Sequence, residues 1–267
     1  GQGLEPATLA ALFLHTAQTV TPDRQELEEG LKLLYNLPFP REDVDKALED
    51  YRKAGMPAVH HSDRYRKAYA PAYRVVEQDL ARLLPLLSNI DRHRRTHTQT
   101  LVALDGPCAT GKTTLGGVLS RLYQCPLFHM DDFYLPPERK TAQRLAEPGG
   151  NVDAERFFTE VLSPLSRGKA VRYRPYRCQS GTLGPELVVP PTPLAVVEGV
   201  YSLRPDLESY YHVKCFLEVP WSTRRARLLN RNGAEGLERF EKLWIPLEDA
   251  YFRAFPIREC CNVVLQG

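Results

Sequence analysis

The sequence has no long apolar run, no marked excess of one charge and no cysteine framework. No stretch of its 267 residues approaches the roughly 18 consecutive apolar residues of a membrane-spanning helix. The opening GQGLEP has neither the basic region nor the apolar segment of a signal peptide. Thirty-five basic side chains against 33 acidic ones leave a formal charge of +2, too small to favour nucleic acid or an anionic membrane as a partner. The sequence therefore predicts a cytoplasmic protein with neither kind of partner.

The six cysteines form neither a disulfide scaffold nor a metal-binding pattern. Four of them stand alone in the sequence, and the other two, Cys260 and Cys261, are adjacent. We therefore expect reduced thiols. The 43% of apolar residues suffices for a sizeable core in one large domain or two ordinary ones.

The most informative stretch is LVALDGPCATGKTT at residues 101–114. The apolar start predicts a strand buried on both faces of a parallel sheet, and residues 106–113 fit the phosphate-loop pattern G-x-x-x-x-G-K-[ST]. Glycines at both ends let the backbone N–H groups turn inward toward phosphate oxygens, at the positive end of a predicted helix over 113–123. Lys112 would reach the β and γ phosphates of ATP, and the Thr113 hydroxyl would contact Mg²⁺. The predicted nucleotide-binding residues are Gly106, Pro107, Cys108, Ala109, Thr110, Gly111, Lys112, Thr113 and Thr114.

Residues 1–97 are predicted to be helical and to form an accessory domain. Apolar residues recur at helical spacing, as in the set Leu27, Leu31 and Leu34, which favours a small packed bundle. A longer helix is predicted from Pro71 to about Ile90, with a kink at Pro85. The basic stretch from 64 to 95 is more typical of a solvated face than of a nucleic-acid site, because aromatic residues are sparse there.

Residues 98–267 alternate between strand and helix patterns, which predicts an α/β domain with a parallel sheet and crossover helices. A predicted strand over 126–130 ends in Asp131 and Asp132. Ligands of open α/β sheets bind at the carboxyl ends of the strands, so we expect at least one of these carboxylates at the γ-phosphate. The alternative is that one of them caps the next turn. Side chains alternate along an extended strand, so only one of the pair would point into the site.

Two later segments add charged groups to the predicted site. A buried strand at 194–197 ends in Glu198, the position at which phosphate-loop enzymes place a carboxylate that helps to hold Mg²⁺. The predicted helix over 222–231 carries Arg224, Arg227 and Arg231 on one face, and this face either contacts phosphates or is merely solvated. Between them, 172–184 and a short strand at 186–189 indicate a β excursion over the site.

Four short motifs follow the phosphate loop in this order: HMDDFYLP at 129–136, NVD at 151–153, YRPY at 173–176 and VVEG at 196–199. Together with the arginine helix, this order resembles the uridine kinase and phosphoribulokinase family of P-loop kinases. In particular it resembles the bacterial uridine kinase-like proteins that carry a helical N-terminal extension. The resemblance covers about residues 99–267.

The resemblance implies the P-loop NTPase fold, with a doubly wound, mainly parallel sheet. It also implies transfer of the γ-phosphoryl group of ATP to a primary hydroxyl. By the family's pattern, Asp131 matches the general base and Glu198 the acidic group near Mg²⁺. The three arginines of the predicted helix match lid residues that contact phosphates, and we take Arg227 together with Lys112 and Asp131 as the catalytic set.

The resemblance also implies an acceptor site. Asp153 matches the carboxylate that accepts hydrogen bonds from ribose hydroxyls, and Tyr134 and Tyr176 match positions that line the nucleoside pocket. Arg177 stands where the family has aspartate after the second of these tyrosines.

The functional hypothesis is therefore an ATP- and Mg²⁺-dependent kinase for a ribonucleoside or a similar ribose-bearing small molecule. Kinases for nicotinamide riboside or pantothenate remain open, as does homo-oligomerisation. An alternative of another class is a regulatory protein in which ATP binding changes how the helical extension meets a partner. Such a protein needs neither an acceptor-activating carboxylate nor a ribose-facing aspartate, and this chain has candidates for both.

Overall fold

The computed structural model describes residues 3–21, 23–71 and 75–267. The helices are α1 (Pro6–Thr19), α2 (Arg24–Leu31), α3 (Arg41–Lys53), α4 (Asp63–Tyr69), α5 (Gln78–Ala81), α6 (Leu84–Arg94), α7 (Lys112–Tyr123), α8 (Ala142–Ala146), α9 (Ala154–Phe157), α10 (Ser163–Ser166), α11 (Trp221–Arg239) and α12 (Ile245–Ala254). The strands are β1 (Thr100–Asp105), β2 (Leu127–His129), β3 (Val171–Tyr173), β4 (Tyr176–Arg177), β5 (Thr182–Leu183), β6 (Leu187–Val189), β7 (Leu194–Glu198), β8 (Val213–Glu218) and β9 (Val263–Gln266). No helix among these residues is long and apolar enough to cross a membrane.

The central sheet has five strands in the order β2–β7–β1–β8–β9, and every neighbouring pair is parallel. All six residues of β1 and all five of β7 are buried, which is why both read as continuous apolar runs. The α/β prediction with a mainly parallel sheet is confirmed.

Helices cover this sheet, and successive side chains of β1 point to opposite faces of it. Leu101 and Ala103 belong to a buried cluster that includes Phe157 of the short helix α9 and Tyr251 of α12. Helix α7 packs against β1, β2 and β7, and α6 packs against β1 and β8. Two small antiparallel pairs, β3 with β6 and β4 with β5, form the predicted β excursion.

The chain divides into two compact units, and the division differs from the predicted boundary at residue 97. One unit contains residues 1–12 and 78–267, and the other contains residues 13–77. Helix α6 belongs to the first because its inner face, with Leu86, Leu87 and Ile90, is fully buried. In the same unit the buried Asp91 accepts hydrogen bonds from the Glu5 amide (2.7 Å) and from the hydroxyls of Thr8 and Tyr123 (both 3.0 Å).

The long helix expected from Pro71 to Ile90 is two shorter helices, α5 and α6, and residues 72–74 lie outside the described part. Pro85 does not kink a helix. It occupies the first turn of α6, where a missing N–H leaves no hydrogen bond unmade.

Within the 13–77 unit, the expected apolar stripes are only partly buried. Its buried apolar side chains, among the described residues, are Val44 and Leu48 of α3. The side chains of Leu27 and Leu34, from another predicted stripe, are 40% and 37% exposed. Helical spacing therefore identified the apolar face of α3 but not a general bundle core.

We predict that limited trypsin digestion of the native protein cuts first at Lys53, Arg64, Arg66 or Lys67. These exposed residues flank or occupy a part of the chain with little buried apolar surface, so local opening there costs little. Cleavage at Arg92, Arg94 or Arg95 requires distortion of the α6 end and should be later. First cuts at these three arginines, identified by mass spectrometry, would contradict the unit division described here.

Candidate active site

The phosphate loop joins β1 to α7 through backbone conformations that need glycine. Gly106 has φ 138° and Gly111 has φ 101°. A Cβ atom at Gly106 would lie 2.1 Å from the Leu217 carbonyl oxygen, so only glycine fits there. The loop thus leads directly into the N-terminus of α7, where free N–H groups favour an anion.

Lys112 is buried, and its ammonium group lies across the loop. Its Nζ donates to the carbonyl oxygens of Gly106 (2.7 Å) and Pro107 (2.8 Å). A fixed positive charge therefore stands at the loop that is predicted to receive the phosphates.

Thr113 and Glu198 meet beside the loop, as the sequence predicts for a magnesium site. The Thr113 hydroxyl donates to Glu198 Oε1 at 3.0 Å, and His129 Nδ1 lies 2.6 Å from the same oxygen. The hydrogen bond to Glu198 raises the pKa of His129, so the buried carboxylate has a cationic partner over a wider pH range. A hydroxyl and a carboxylate suit Mg²⁺, which takes hard oxygen ligands. No cluster of three or more metal-binding side chains occurs in the described part of the chain, as is typical where phosphates supply much of the coordination.

Asp131 and Asp132 lie in a 3-10 turn, Met130–Phe133, and not on the strand end that the sequence predicts. Strand β2 ends at His129, so the strand alternation used to separate the two carboxylates does not apply. The environments separate them instead. Asp132 Oδ2 accepts a long hydrogen bond from the Tyr173 hydroxyl of β3 (3.5 Å).

Asp131 is the carboxylate in electrostatic contact with the loop. Its side chain remains accessible, but the protein packed around it and then the negative charge of Glu198 raise its pKa. The positive charge of Lys112 opposes this rise. A carboxylate between two such groups can orient a hydroxyl and accept its proton at neutral pH.

The predicted acceptor residues are brought together in part. The turn with Asp131 and Tyr134 is tied to the segment before α9, because Tyr134 forms a bridge with Val152 and the Asp153 amide donates to the Phe133 carbonyl (2.7 Å). Strand β4, which carries the buried Tyr176 and the exposed Arg177, contacts the same turn.

The Asp153 side chain is already engaged by protein groups. It is buried, caps α9 by accepting from the Arg156 amide (3.3 Å), and forms ion pairs with Arg139 and Arg156. Its predicted contact with ribose hydroxyls therefore requires the half-exposed Arg139 side chain to move aside.

The three arginines of α11 do not share one role, which corrects the expectation that all of them face phosphates. Arg224 is buried behind the loop, donating to the Cys108 carbonyl (2.9 Å) and pairing with the buried Glu248 (3.4 Å). Glu248 in turn accepts from the Cys108 amide at 2.9 Å. Helical spacing predicts that the three arginines share a face of α11. It does not predict that Arg224 is buried, because its partner Glu248 lies 24 residues further on, in α12.

Arg227 and Arg231 are exposed and line a cavity of about 670 Å³ beside the phosphate loop. Arg227 also donates to the Ala109 carbonyl at 3.1 Å. The guanidinium of Arg231 lies over the Phe240 ring at 5.6 Å. Glycine at 233 interrupts α11 with φ 71°, just beyond these arginines.

Two buried carboxylates behind the loop were not predicted from the sequence. Asp105 ends β1 and accepts from the amides of Gly106 (2.6 Å) and Leu203 (2.9 Å) and from the Tyr251 hydroxyl (2.9 Å). Burial raises its pKa to about 6. An acidic residue after four apolar ones is a local signal that could have identified it. Glu248 has no comparable signal, because its partner amide is 140 residues away.

Comparison with known proteins supports the same fold. No protein-family model and no curated protein matches the chain. Among solved structures it is similar to a candidate fructose transport system kinase from Silicibacter sp. TM1040, at 24% identity and a TM-score of 0.53 over 69% of this chain and 97% of the other. It is also similar to a possible uridine kinase from Bacillus stearothermophilus, at 18% identity and a TM-score of 0.51 over 67% and 98%. The chain therefore shares the fold of these two structures, as its motifs predict.

We predict different consequences for two arginines one helical turn apart. Arg224→Ala leaves Glu248 buried without its cationic partner, and should lower the free energy of unfolding by about 3 to 5 kcal/mol. Arg227→Ala removes an exposed side chain and should change it by less than about 0.5 kcal/mol. Urea denaturation of ligand-free protein, followed by circular dichroism, measures both. Equal losses would contradict the separate placement of these side chains.

Proposed function

We propose that the protein is an ATP-dependent small-molecule kinase that transfers the γ-phosphoryl group to a primary hydroxyl of a ribonucleoside or a similar ribose-bearing compound. The observation that carries this proposal is the meeting of three features at one edge of the sheet. These are the phosphate loop with Lys112, the Thr113–Glu198 pair, and Asp131. A nucleotide-binding loop alone would be equally suited to a switch protein, whereas a carboxylate beside it suits proton transfer from an acceptor.

In the proposed reaction, Asp131 accepts the proton of the acceptor hydroxyl while the oxygen attacks the γ-phosphorus in line. The bond from phosphorus to the β,γ-bridging oxygen breaks, and ADP leaves with that electron pair. Lys112 and Arg227 stabilise the negative charge on the phosphoryl oxygens, and they act strongly because they are already positioned. Thr113 and Glu198 would hold Mg²⁺, which neutralises phosphate charge when bound.

The acceptor assignment rests on Asp153, Tyr134, Tyr176 and Arg177. By the resemblance, Asp153 would accept hydrogen bonds from the hydroxyls of a sugar, and the two tyrosines would line a pocket for a flat group attached to it. Arg177 adds a cation near this pocket, so an acceptor with an acidic or carbonyl group is within the proposed class. Nicotinamide riboside, which bears ribose, and pantothenate, which does not, are alternative acceptors.

The test is an acceptor panel. The purified chain is incubated with ATP and Mg²⁺ and with nucleosides, nicotinamide riboside, pantothenate or simple sugars, and ADP release is followed by a coupled assay. The proposal expects ADP release that depends on one ribose-bearing class. ATP binding without acceptor-dependent ADP release across the panel would favour the second candidate, a nucleotide-dependent regulatory protein.

We predict that Asp131→Asn retains ATP binding but lowers turnover by roughly 10² to 10⁴, because it keeps the shape and loses the basicity. Asp132→Asn is the matched control, with a same-sized change one residue away, and should have a much smaller effect. The steady-state kcat of both variants with the best acceptor decides. A large loss of kcat in Asp132→Asn, with none in Asp131→Asn, would show that Asp132 and not Asp131 is the base.

The raised pKa of Asp131 predicts a pH dependence. The base acts when ionised, so acceptor kcat/KM should fall as the pH drops through a value above the ordinary aspartate pKa of about 3.9. Glu198→Gln removes a negative charge that raises this pKa and should move the acidic limb to lower pH. The exposed Glu235→Gln is the control and should leave the limb unchanged. If the acidic limb of the kcat/KM profile does not move in Glu198→Gln, the group that titrates there is not Asp131.

A further inference from the structure

The cavity beside the phosphate loop has one wall that the kinase motifs do not account for. Its floor is the loop with Lys112, and its cationic side is formed by Arg227 and Arg231. The remaining wall includes Leu80 of α5 and Leu83 of the turn that follows it. Both belong to residues 78–83, here called the α5 segment, which precede the sheet in the chain. This segment lies within residues 1–97, for which the sequence indicates no catalytic role, yet it belongs to the same compact unit as the loop.

The cavity is lined by both cationic and aliphatic side chains, and a nucleotide likewise has a charged and an apolar part. Cations lie at the loop and on α11, where a triphosphate would be placed. The aliphatic part of the lining includes Val118 of α7, Leu265 of β9 and the two leucines of the α5 segment. A purine has two flat apolar faces, which such aliphatic side chains fit. The volume of about 670 Å³ is in the range of nucleotide-sized pockets.

The residues of the α5 segment differ in what they can offer a ligand. Leu80 is 4% exposed, so it supports the wall from within. Leu83 is partly exposed and lines the cavity, so its side chain can contact a base directly. Asp79 and Arg82 also line the cavity, with largely exposed side chains paired at 3.1 Å, and they supply polar groups for the edge of a base.

We propose that residues 79–83 form the base-contacting wall of the nucleotide site, with Leu83 packed against the face of a purine. The N-terminal region would then contribute directly to the affinity for ATP. The inference rests on the proposed function only in requiring that the loop bind a nucleoside triphosphate. It makes no claim about the acceptor or the transfer step.

Inorganic tripolyphosphate separates the two parts of the site, because it has the phosphates of ATP and no base. Binding of MgATP and of magnesium tripolyphosphate to the full chain is measured by calorimetry for the parent, Leu83→Ala and Leu84→Ala. Leu84 is the matched control, because it is the adjacent leucine, is 39% exposed and is not among the cavity-lining residues.

Leu83→Ala should weaken MgATP binding about tenfold, equivalent to about 1.4 kcal/mol, and leave tripolyphosphate binding within about twofold of the parent. Leu84→Ala should change neither by more than about twofold. An unchanged ATP affinity in Leu83→Ala, or an equal loss for both ligands, would overturn the proposal. Unchanged tripolyphosphate binding also shows that the variant is folded at the loop.

A second measurement requires no substitution. Hydrogen exchange of the parent should show that MgATP, but not tripolyphosphate, protects amides of residues 79–84. Equal protection by both ligands, or by neither, would contradict a base contact. If the unsubstituted protein binds neither MgATP nor tripolyphosphate, the proposed function itself is wrong. If it binds both with equal affinity, only the proposed base contact of residues 79–83 is wrong.

Discussion

Parallel pairing of β1, β7 and β2 is the constraint on which the candidate site depends. Leu104 of β1 pairs with Glu198, and Glu198 also pairs with His129 of β2, so the three strands end at one level. The phosphate loop, the Glu198 carboxylate and the turn that carries Asp131 all follow from these ends. Groups separated by up to about 90 residues in sequence therefore become neighbours. Substitutions that altered this register would move all three at once.

The loop itself is held from behind by buried charge. Asp105 fixes the amide of Gly106, and the Arg224–Glu248 pair holds both the amide and the carbonyl of Cys108. Burying such groups is costly, and a buried ion pair is weak evidence for stability. Their value here is geometric, because donors that are already oriented stabilise a phosphate without reorganisation. Arg227 and Arg231 lie in the same part of α11 as Arg224, before the break at Gly233, and are therefore attached to this braced segment.

The sequence predicted best where the determinants were local. The phosphate loop was identified because its glycines, Lys112 and Thr113 are adjacent, and Glu198 because it ends a run of buried strand residues. Asp131 was selected by resemblance, while the strand alternation offered as a reason was wrong, since the segment is a 3-10 turn. Arg224 was predicted to contact phosphates along with Arg227, because residue spacing gives the direction of a side chain around a helix but not the groups that it contacts. The role of Leu83 could not be predicted either, because the cavity it lines is assembled from segments far apart in the chain.

The central claim is that the site transfers a phosphoryl group to an acceptor, as opposed to binding ATP as a signal. A single-turnover reaction with enzyme in excess over γ-labelled ATP tests this most directly, with the product that carries the label identified in the presence and absence of acceptor. The label is expected in a phosphomonoester of the acceptor, and ATP should be consumed much faster when the acceptor is present. Bound ATP that stays intact with every acceptor, or label that appears only as inorganic phosphate at an acceptor-independent rate, would contradict it.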